Sequence, residues 1–459
     1  MKLKYSFFNN NIYFFGSILI LFLLTRIILF YILGHNNIPD FFHYADIRLL
    51  RYDLIETIIY SHSQPPFLNL FIGILFKIFK GNLTFFSIFF YFLNTFLTIG
   101  ILYLTFKILN IFQINKKYIF FILVFLVLNP NFIYYENYSN PLYSHVICFL
   151  FFQLTYLIFK YYFDKNELTE FYVYLTLLIS SFIWPAWQPY LILLVFVLFK
   201  FFVKKINLKS FIIFSFVFLI SLIPSIKNKI LFGVFSNSTW TGIYLSTVFV
   251  PEPSCAQLDY DTYGPWELEG ENQMKDFEYV KEKYPEEYFS KPSLWGPMSI
   301  ENNLIFIGKS KRCLSYAVNR ILNDPFDYLY HRTVQFIVSH SKFSFENVRG
   351  ASEVGKPRWI IKYLDIFDNK FERFKQVIIF LYMMTVYLGS FLFIISQYKS
   401  KNKFALPNAI FLFIYIYYVL VTHLPNGAYE NTRMVYGGFV IQIIFLANLI
   451  NFVNKLKKK

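Results

Sequence analysis

The side chains best suited to acid–base chemistry lie in a polar loop at about 35–64, just after the first long apolar stretch. A carboxylate beside a bilayer is costly unless it is paired or takes part in chemistry. Asp40 follows Pro39, a position typical of a turn or helix cap. The carboxylate of Asp53 can be neutralised by the nearby Arg51. Asp46 stands between an aromatic and an apolar residue, where desolvation would make it a better general base. Asp46 is therefore the predicted base and Asp40 the alternative, although each aspartate could instead be structural.

A second polar turn, near 129–140, contains a single acid, Glu136. Its carboxylate is a candidate for orienting a substrate or holding a cation. His145 follows about one turn into the next apolar stretch. A single buried histidine is more often a hydrogen-bonded packing residue than a ligand, so His145 is a supporting candidate only.

Cationic side chains occur at two further places where an anion could bind. Lys227 follows an apolar stretch, and it is either a headgroup contact or an anion ligand. Arg433 precedes the last apolar stretch, and its planar guanidinium can donate two parallel hydrogen bonds to a phosphate. It could also simply pair with Glu430, three residues away. Gln64 and Asn228 are supporting polar candidates beside these groups.

Long apolar stretches must position all of these residues. The chain has 459 residues, of which 56% are hydrophobic, 23% aromatic and only 15% charged. About 20 apolar residues span a bilayer, so the pattern predicts an all-α integral membrane protein and excludes a soluble one. The predicted spans are ten: 12–34, 83–106, 118–134, 141–163, 170–184, 187–203, 209–226, 375–397, 404–422 and 434–453.

Lysine distribution predicts the orientation of these spans. The loops on the amino-terminal side hold lysines 2, 4, 107, 116, 117, 160, 165, 200, 204, 205, 209, 399, 401, 403, 455, 457, 458 and 459. The short loops opposite hold only Arg48, Arg51, Lys77, Lys80 and Arg433. The positive-inside rule therefore places both termini in the cytoplasm. Because the basic residues are scattered between spans, the net charge of +15 does not indicate a nucleic-acid partner.

The predicted organisation has three parts: an amino-terminal membrane module at 1–226, an extracytoplasmic loop domain at 227–373, and carboxy-terminal membrane helices at 374–459. The short apolar stretch 66–80 is predicted to be a juxtamembrane helix on the outer side. Within the loop domain, helical spacing over 304–338 predicts two helices with a cap near Asn323–Pro325. The aromatic residues of this loop favour a folded domain.

The chain has three cysteines. Cys148 lies in a predicted span, whereas Cys255 and Cys313 both lie in the outer loop. That compartment is oxidising, so the two can form a disulfide. Two free thiols are the alternative that the sequence leaves open.

Four features of the membrane part resemble the GT-C glycosyltransferases, specifically those that use polyprenyl-phosphate sugars, such as protein O-mannosyltransferases and aminoarabinose transferases. They share an order along the chain and a predicted side of the membrane. The features are an acid in the first outer loop (Asp46), a Pro-Pro pair that opens a juxtamembrane helix (Pro65 and Pro66), an acidic outer turn (Pro130, Tyr134, Tyr135 and Glu136) and a proline-to-glycine segment (224–233).

The chain also departs from the family pattern. Gln64 stands where relatives often carry His or Lys before the prolines. Glu430 and Arg433 precede a late span where relatives tend to have Arg with Tyr or Phe, and here Met434 follows. The resemblance covers about 12–245 and 404–453.

The resemblance implies a GT-C fold and an inverting sugar transfer outside the cytoplasm, in a bacterial inner membrane or in the endoplasmic reticulum. Asp46 would be the base, Glu136 would orient the acceptor, and Arg433 with Lys227 would bind the leaving phosphate. The implied partners are a lipid-linked sugar and a glycan, lipid or protein acceptor. The sequence does not decide whether a divalent cation is required; if one takes part, Asp46 and Glu136 would be its ligands.

Two other classes share some of these features. O-antigen ligases and polymerases concentrate basic residues in a large outer loop, as Arg312, Arg320, His331 and Arg332 do here. A lipid or solute transporter is the non-enzymatic alternative, but such proteins use mid-membrane acids and broken helix pairs. Arg26 is the main charge within a predicted span, and either pairing or snorkelling to the interface would explain it.

Overall fold

A computed structural model describes residues 11–33, 47–52, 54–129, 141–185, 187–203, 208–246, 305–341, 377, 381–382, 384–422 and 439–456. Within these ranges every regular element is an α-helix and none is a strand.

The amino-terminal helices are α1 (Asn11–Leu33), α2 (Ile47–Tyr52), α3 (Leu54–Tyr60), α4 (Pro66–Ile78), α5 (Leu83–Ile111), α6 (Lys116–Leu128), α7 (Pro141–Asp164), α8 (Glu167–Ile183), α9 (Pro189–Val203), α10 (Leu208–Ser221), α11 (Ile223–Phe232) and α12 (Thr241–Ser246). The remaining helices are α13 (Ile305–Asn323), α14 (Pro325–Ser341), α15 (384–399), α16 (Ala405–Thr422) and α17 (Phe439–Leu456).

Four helical segments are long and apolar enough to cross a membrane: Asn11–Ile28, Thr84–Ile111, His145–Asp164 and Leu208–Phe232. The last of these joins α10 to α11. Their outward faces are apolar as well; Phe92 and Phe96 on α5 and Phe216 and Leu219 on α10 are all exposed. Such contiguous exposed apolar surface is unusual for a soluble protein and typical of lipid-facing helices. The chain therefore has the character of a membrane protein.

Asparagines mark the starts of several helices. The side chain of Asn82 accepts hydrogen bonds from the backbone N–H groups of Thr84 and Phe85, at 3.0 and 3.2 Å, and so caps α5. Asn115 and Asn166 cap α6 and α8 in the same way, at 2.9 Å each. An asparagine side chain satisfies N–H groups that have no partner within the helix. Each predicted span overlaps one of the observed helices, and four of these helical segments are long and apolar enough to cross a membrane. The short apolar stretch 66–80 is helical as α4.

Helix α7 lies at the centre of the described bundle, because it contacts α5, α8, α16 and α17. Helix α1 packs on α6 and α5, while α4 packs on α2, α3 and α8. The packing is largely aromatic: the rings of Phe76 and Phe86 stack at 4.5 Å between α4 and α5. This arrangement brings the segment before α4 close to the ends of α8 and α11.

The helix pair predicted within 304–338 is present as α13 and α14. They are separated by Asp324, whose carboxylate accepts a hydrogen bond from the N–H of Asp327 at 2.9 Å. Helix α13 packs on α12 so closely that a Cβ at Gly242 would lie 1.8 Å from the backbone oxygen of Ser310. Only glycine fits there. Cys313 on α13 is in a disulfide, so of the two alternatives that the sequence left open, two free thiols are excluded; Cys255 lies outside the described residues.

Candidate functional site

Helix α11 presents Lys227 and Asn228, two of the residues predicted from the sequence. Pro224 occupies its first turn, where the missing N–H costs nothing, and Gly233 ends it with a positive φ of 73°. The N–H groups of Gly233 and Val234 close the helix on Lys229 O and Asn228 O, at 3.0 and 3.3 Å. This left-handed turn is the reason for the proline-to-glycine spacing in the sequence. It turns the chain back toward the residues before α4.

The Lys227 ammonium is directed at that earlier segment. Its Nζ donates a hydrogen bond to the backbone oxygen of Ser61 and lies 5.9 Å from the centre of the Phe232 ring. The side chain is half-buried. Lys227 is thus held in place by a residue 166 positions away in the sequence, rather than extending freely into water.

Two polar segments, Ser61–Gln64 and Ser236–Trp240, meet beside Lys227, and we name them together the polar joint. All nine of their residues are buried. His62 Nδ1 lies 2.6 Å from Thr239 Oγ1, and the Thr239 N–H donates to His62 O at 2.9 Å. Ser238 Oγ donates to Ser63 O at 2.6 Å. Buried polar groups must find such partners, and these hydrogen bonds join the segment before α4 to the segment that follows α11.

The hydrogen bonding continues from the polar joint into the bundle. Asn228 Nδ2 donates to Ser236 O at 2.8 Å. Asn237 Nδ2 donates to Ser181 O at 3.2 Å, at the end of α8, and Ser225 Oγ donates to Asn237 Oδ1 at 2.5 Å. Asn228 is therefore a buried structural residue next to Lys227 on the same helix. Gln64, also buried, lies in the polar joint.

His145 belongs to a separate buried group on α1, α5 and α7. Its Nε2 lies 2.8 Å from Thr98 Oγ1, and it lies within electrostatic range of Arg26. Arg26 is only 3% exposed; its guanidinium donates to Val127 O at 3.0 Å and lies 4.6 Å from the Phe22 ring. Of the two explanations for Arg26, snorkelling to the interface is wrong, because the guanidinium is buried and bonded within the bundle.

Six of the residues that carried the sequence prediction lie outside the described residues. They are Asp40, Asp46, Asp53, Glu136, Glu430 and Arg433. The structure therefore brings together Gln64, Lys227 and Asn228, and it places His145 among other partners. Within the described ranges, no three His, Cys, Asp or Glu side chains converge as metal ligands would.

Three basic residues of the helix pair are bound locally, whereas the side chain of Arg312 lies outside the described part of the chain. Asp327 pairs with both Arg320 and His331, at 3.2 Å each. Arg332 is buried and donates from Nε to the Tyr328 hydroxyl at 3.2 Å, and this burial lowers the pKa of the guanidinium from its usual value. These side chains serve the fold of the helix pair.

Sequence reasoning missed two features. It counted Lys200 among the cytoplasmic flanking charges, but Lys200 is buried and forms an ion pair with Glu170 at 2.8 Å. Ser210 and Tyr174 donate to the same carboxylate, at 2.5 and 2.9 Å. The sequence signal for this ion pair was Glu170, an acid near the start of α8 and one turn before Tyr174. The other missed feature is His62, whose partner Thr239 is 177 positions away.

Comparison with protein-family models, with curated proteins and with solved structures found no match to this chain.

Proposed function

We propose that the chain is a ten-span membrane glycosyltransferase of the GT-C type, which moves a sugar from a polyprenyl-phosphate donor to an acceptor hydroxyl on the extracytoplasmic side. The observation that carries the proposal is the contact between Lys227 and Ser61 through the polar joint. This contact connects Lys227, the proposed phosphate ligand, to the carboxyl-terminal end of the loop that contains Asp46, the proposed base.

In the proposed reaction, Asp46 accepts the proton of the acceptor hydroxyl. The hydroxyl oxygen forms a bond to the anomeric carbon while the bond from that carbon to the phosphate oxygen breaks, so the configuration inverts. The lipid phosphate departs with the bonding electrons as an anion. It needs no general acid when fixed cations stabilise its charge, and Lys227 and Arg433 have that role. Glu136 orients the acceptor.

The position of Lys227 suits phosphate binding. An ammonium group carries three N–H donors, and the contact with Ser61 O uses one of them. That contact fixes the lysine side chain before any ligand arrives, which lowers the entropic cost of binding. The half-buried setting strengthens the attraction for an anion, because the local dielectric constant is below that of water.

The ligase alternative depends on the basic residues of the outer helices. Arg320 and His331 are paired with Asp327, and Arg332 is buried against Tyr328. These contacts favour the glycosyltransferase over the ligase, because a pyrophosphate ligand would have to displace them.

Mass spectrometry of glycolipids and glycoproteins from cells that express the chain tests this function. We expect a new glycosylated product with the wild type and a loss on the order of 100-fold or more with Asp46→Asn, which keeps the shape of the side chain but removes the base. Asp53→Asn is the matched control and should leave the product unchanged. If Asp40→Asn abolished the product while Asp46→Asn did not, the base would be Asp40. If no product depended on the chain, the proposed function would be wrong.

A further inference from the structure

The outer helix pair α13–α14 carries an apolar surface that the proposed reaction does not use. On α14, Phe326, Leu329 and Tyr330 are 80%, 54% and 65% exposed. Their spacing of three and four residues puts them on one face of the helix. On α13, Val318 and Leu322 are exposed at four-residue spacing, and Leu322 is 75% exposed. We name these five residues the apolar face of the helix pair.

The charged side chains that the structure describes on α14 point the other way. Arg332 is buried and bonded to the Tyr328 hydroxyl, and Asp327 is bonded to Arg320 and His331. The helix therefore turns charged groups toward the protein and large apolar groups outward. A helix that faces water shows the opposite pattern, so water is not the natural environment of this face.

The position of α14 relative to the bundle indicates what that environment is. Helix α14 contacts α16, and Tyr328 lies close enough to Tyr190 to act on it electrostatically. The hydroxyl of Tyr417, near the end of α16, donates a hydrogen bond to the hydroxyl of Tyr190 in the first turn of α9, with the two oxygens 2.7 Å apart. Tyrosines gathered at the ends of apolar helices are typical of the membrane–water interface. The helix pair thus lies at the level of that interface.

We propose that the apolar face of the helix pair docks on the bilayer surface, with its side chains inserted at the boundary between headgroups and acyl chains, about 5–10 Å deep as for other interfacial helices. The occupant is lipid because α14 packs on α16, an apolar helix on which Phe413 and Ile416 are also exposed. A membrane protein already meets lipid on those outward-facing side chains. The outer loop is then held against the leaflet rather than extending away from it.

Site-directed fluorescence quenching of the full chain in lipid nanodiscs tests the proposal. A bimane label on Phe326→Cys is compared with a label on Ser400→Cys, which lies exposed in the polar turn after α15. Both positions are well exposed, so neither substitution removes packing. We expect lipids that carry a nitroxide near the top of the acyl chain to quench the label at position 326 several-fold more than the label at 400. Aqueous iodide should give the reverse order.

Two outcomes would overturn the docking. If iodide quenched position 326 as strongly as position 400 and the nitroxide lipids did not, the face would be in water. If neither quencher reached position 326, protein would cover the face, as in a contact between two copies of the chain. A parallel measurement with Tyr330→Cys guards against a local effect at one position, since Tyr330 lies one turn away on the same face.

Discussion

At the scale of single residues, the position of Lys227 depends on a distant part of the chain. Its own helix places it near the carboxyl-terminal end of the apolar segment Leu208–Phe232. The carbonyl group of Ser61 accepts a hydrogen bond from the ammonium group and so fixes its orientation. This fixed position suits the anion ligand that the proposal requires, and a lipid headgroup contact stays the alternative.

Lys227→Met should weaken the binding of polyprenyl phosphate, because it removes the ammonium and keeps an apolar side chain of similar length. A hydrogen bond to a charged group contributes about 1.5–3 kcal/mol, so we expect affinity to fall roughly ten-fold or more. The probe is polyprenyl phosphate without a sugar, titrated into the purified chain in nanodiscs. Lys229→Met is the matched control, since Lys229 lies exposed on the same helix.

Equal affinities of the two variants for polyprenyl phosphate would remove Lys227 from the site. A thermal unfolding curve separates binding from folding: if Lys227→Met unfolded well below the control, its weaker binding would reflect lost structure, and Lys227→Arg would then be compared. Arginine keeps the charge and a donor toward Ser61. Recovery of binding by Lys227→Arg would therefore support a role of the charge itself.

At the scale of helices, local patterns predicted where most elements lie, and long-range contacts remained hidden. The Pro-Pro pair predicted the start of α4, and the Asn323–Pro325 segment predicted the break between α13 and α14. Capping and apolar length are local properties that a sequence displays directly. His62 and Thr239 are in contact although they are 177 positions apart. No periodic sequence pattern indicates a contact over that separation. The orientation of Lys227 was hidden for the same reason.

The buried ion pair between Lys200 and Glu170 should matter much more for stability than the exposed pair between Lys209 and Glu167. Both pairs tie α8 to a neighbouring helix, but the first is about 5% exposed and the second has side chains that are 71% and 42% exposed. Breaking a buried pair leaves an uncompensated charge and costs about 3–5 kcal/mol. An exposed pair contributes about 0–1 kcal/mol.

Thermal unfolding of the purified chain in detergent checks this difference. We expect Lys200→Met to lower the unfolding temperature clearly and Lys209→Met to leave it almost unchanged. Adding Glu170→Gln to Lys200→Met should recover part of the loss, because the orphaned charge is removed while Ser210 and Tyr174 keep a hydrogen-bond partner. Equal effects of the two single substitutions would show that burial does not govern these pairs.

At the scale of the whole molecule, the proposed site depends on which side of the membrane each loop occupies. The polar joint connects the segment before α4 to the segment after α11, and the proposed site requires both on the extracytoplasmic side. The acidic turn with Glu136 reaches the same side only if the intervening helices cross the bilayer completely. Helix α7 is the simplest one to examine, because its segment His145–Asp164 is long and apolar enough to cross alone.

Cysteine labelling across α7 should therefore give opposite results at its two ends. Lys165 lies in the exposed turn after α7, on the lysine-rich side, while position 136 precedes the helix. With a maleimide that cannot cross membranes, we expect Glu136→Cys to be labelled in intact cells and Lys165→Cys only after permeabilisation. The wild type gives the background, with Cys148 buried and Cys313 in a disulfide. Labelling of both positions in intact cells would mean that α7 does not cross, and the reverse order would put Glu136 and the proposed reaction in the cytoplasm.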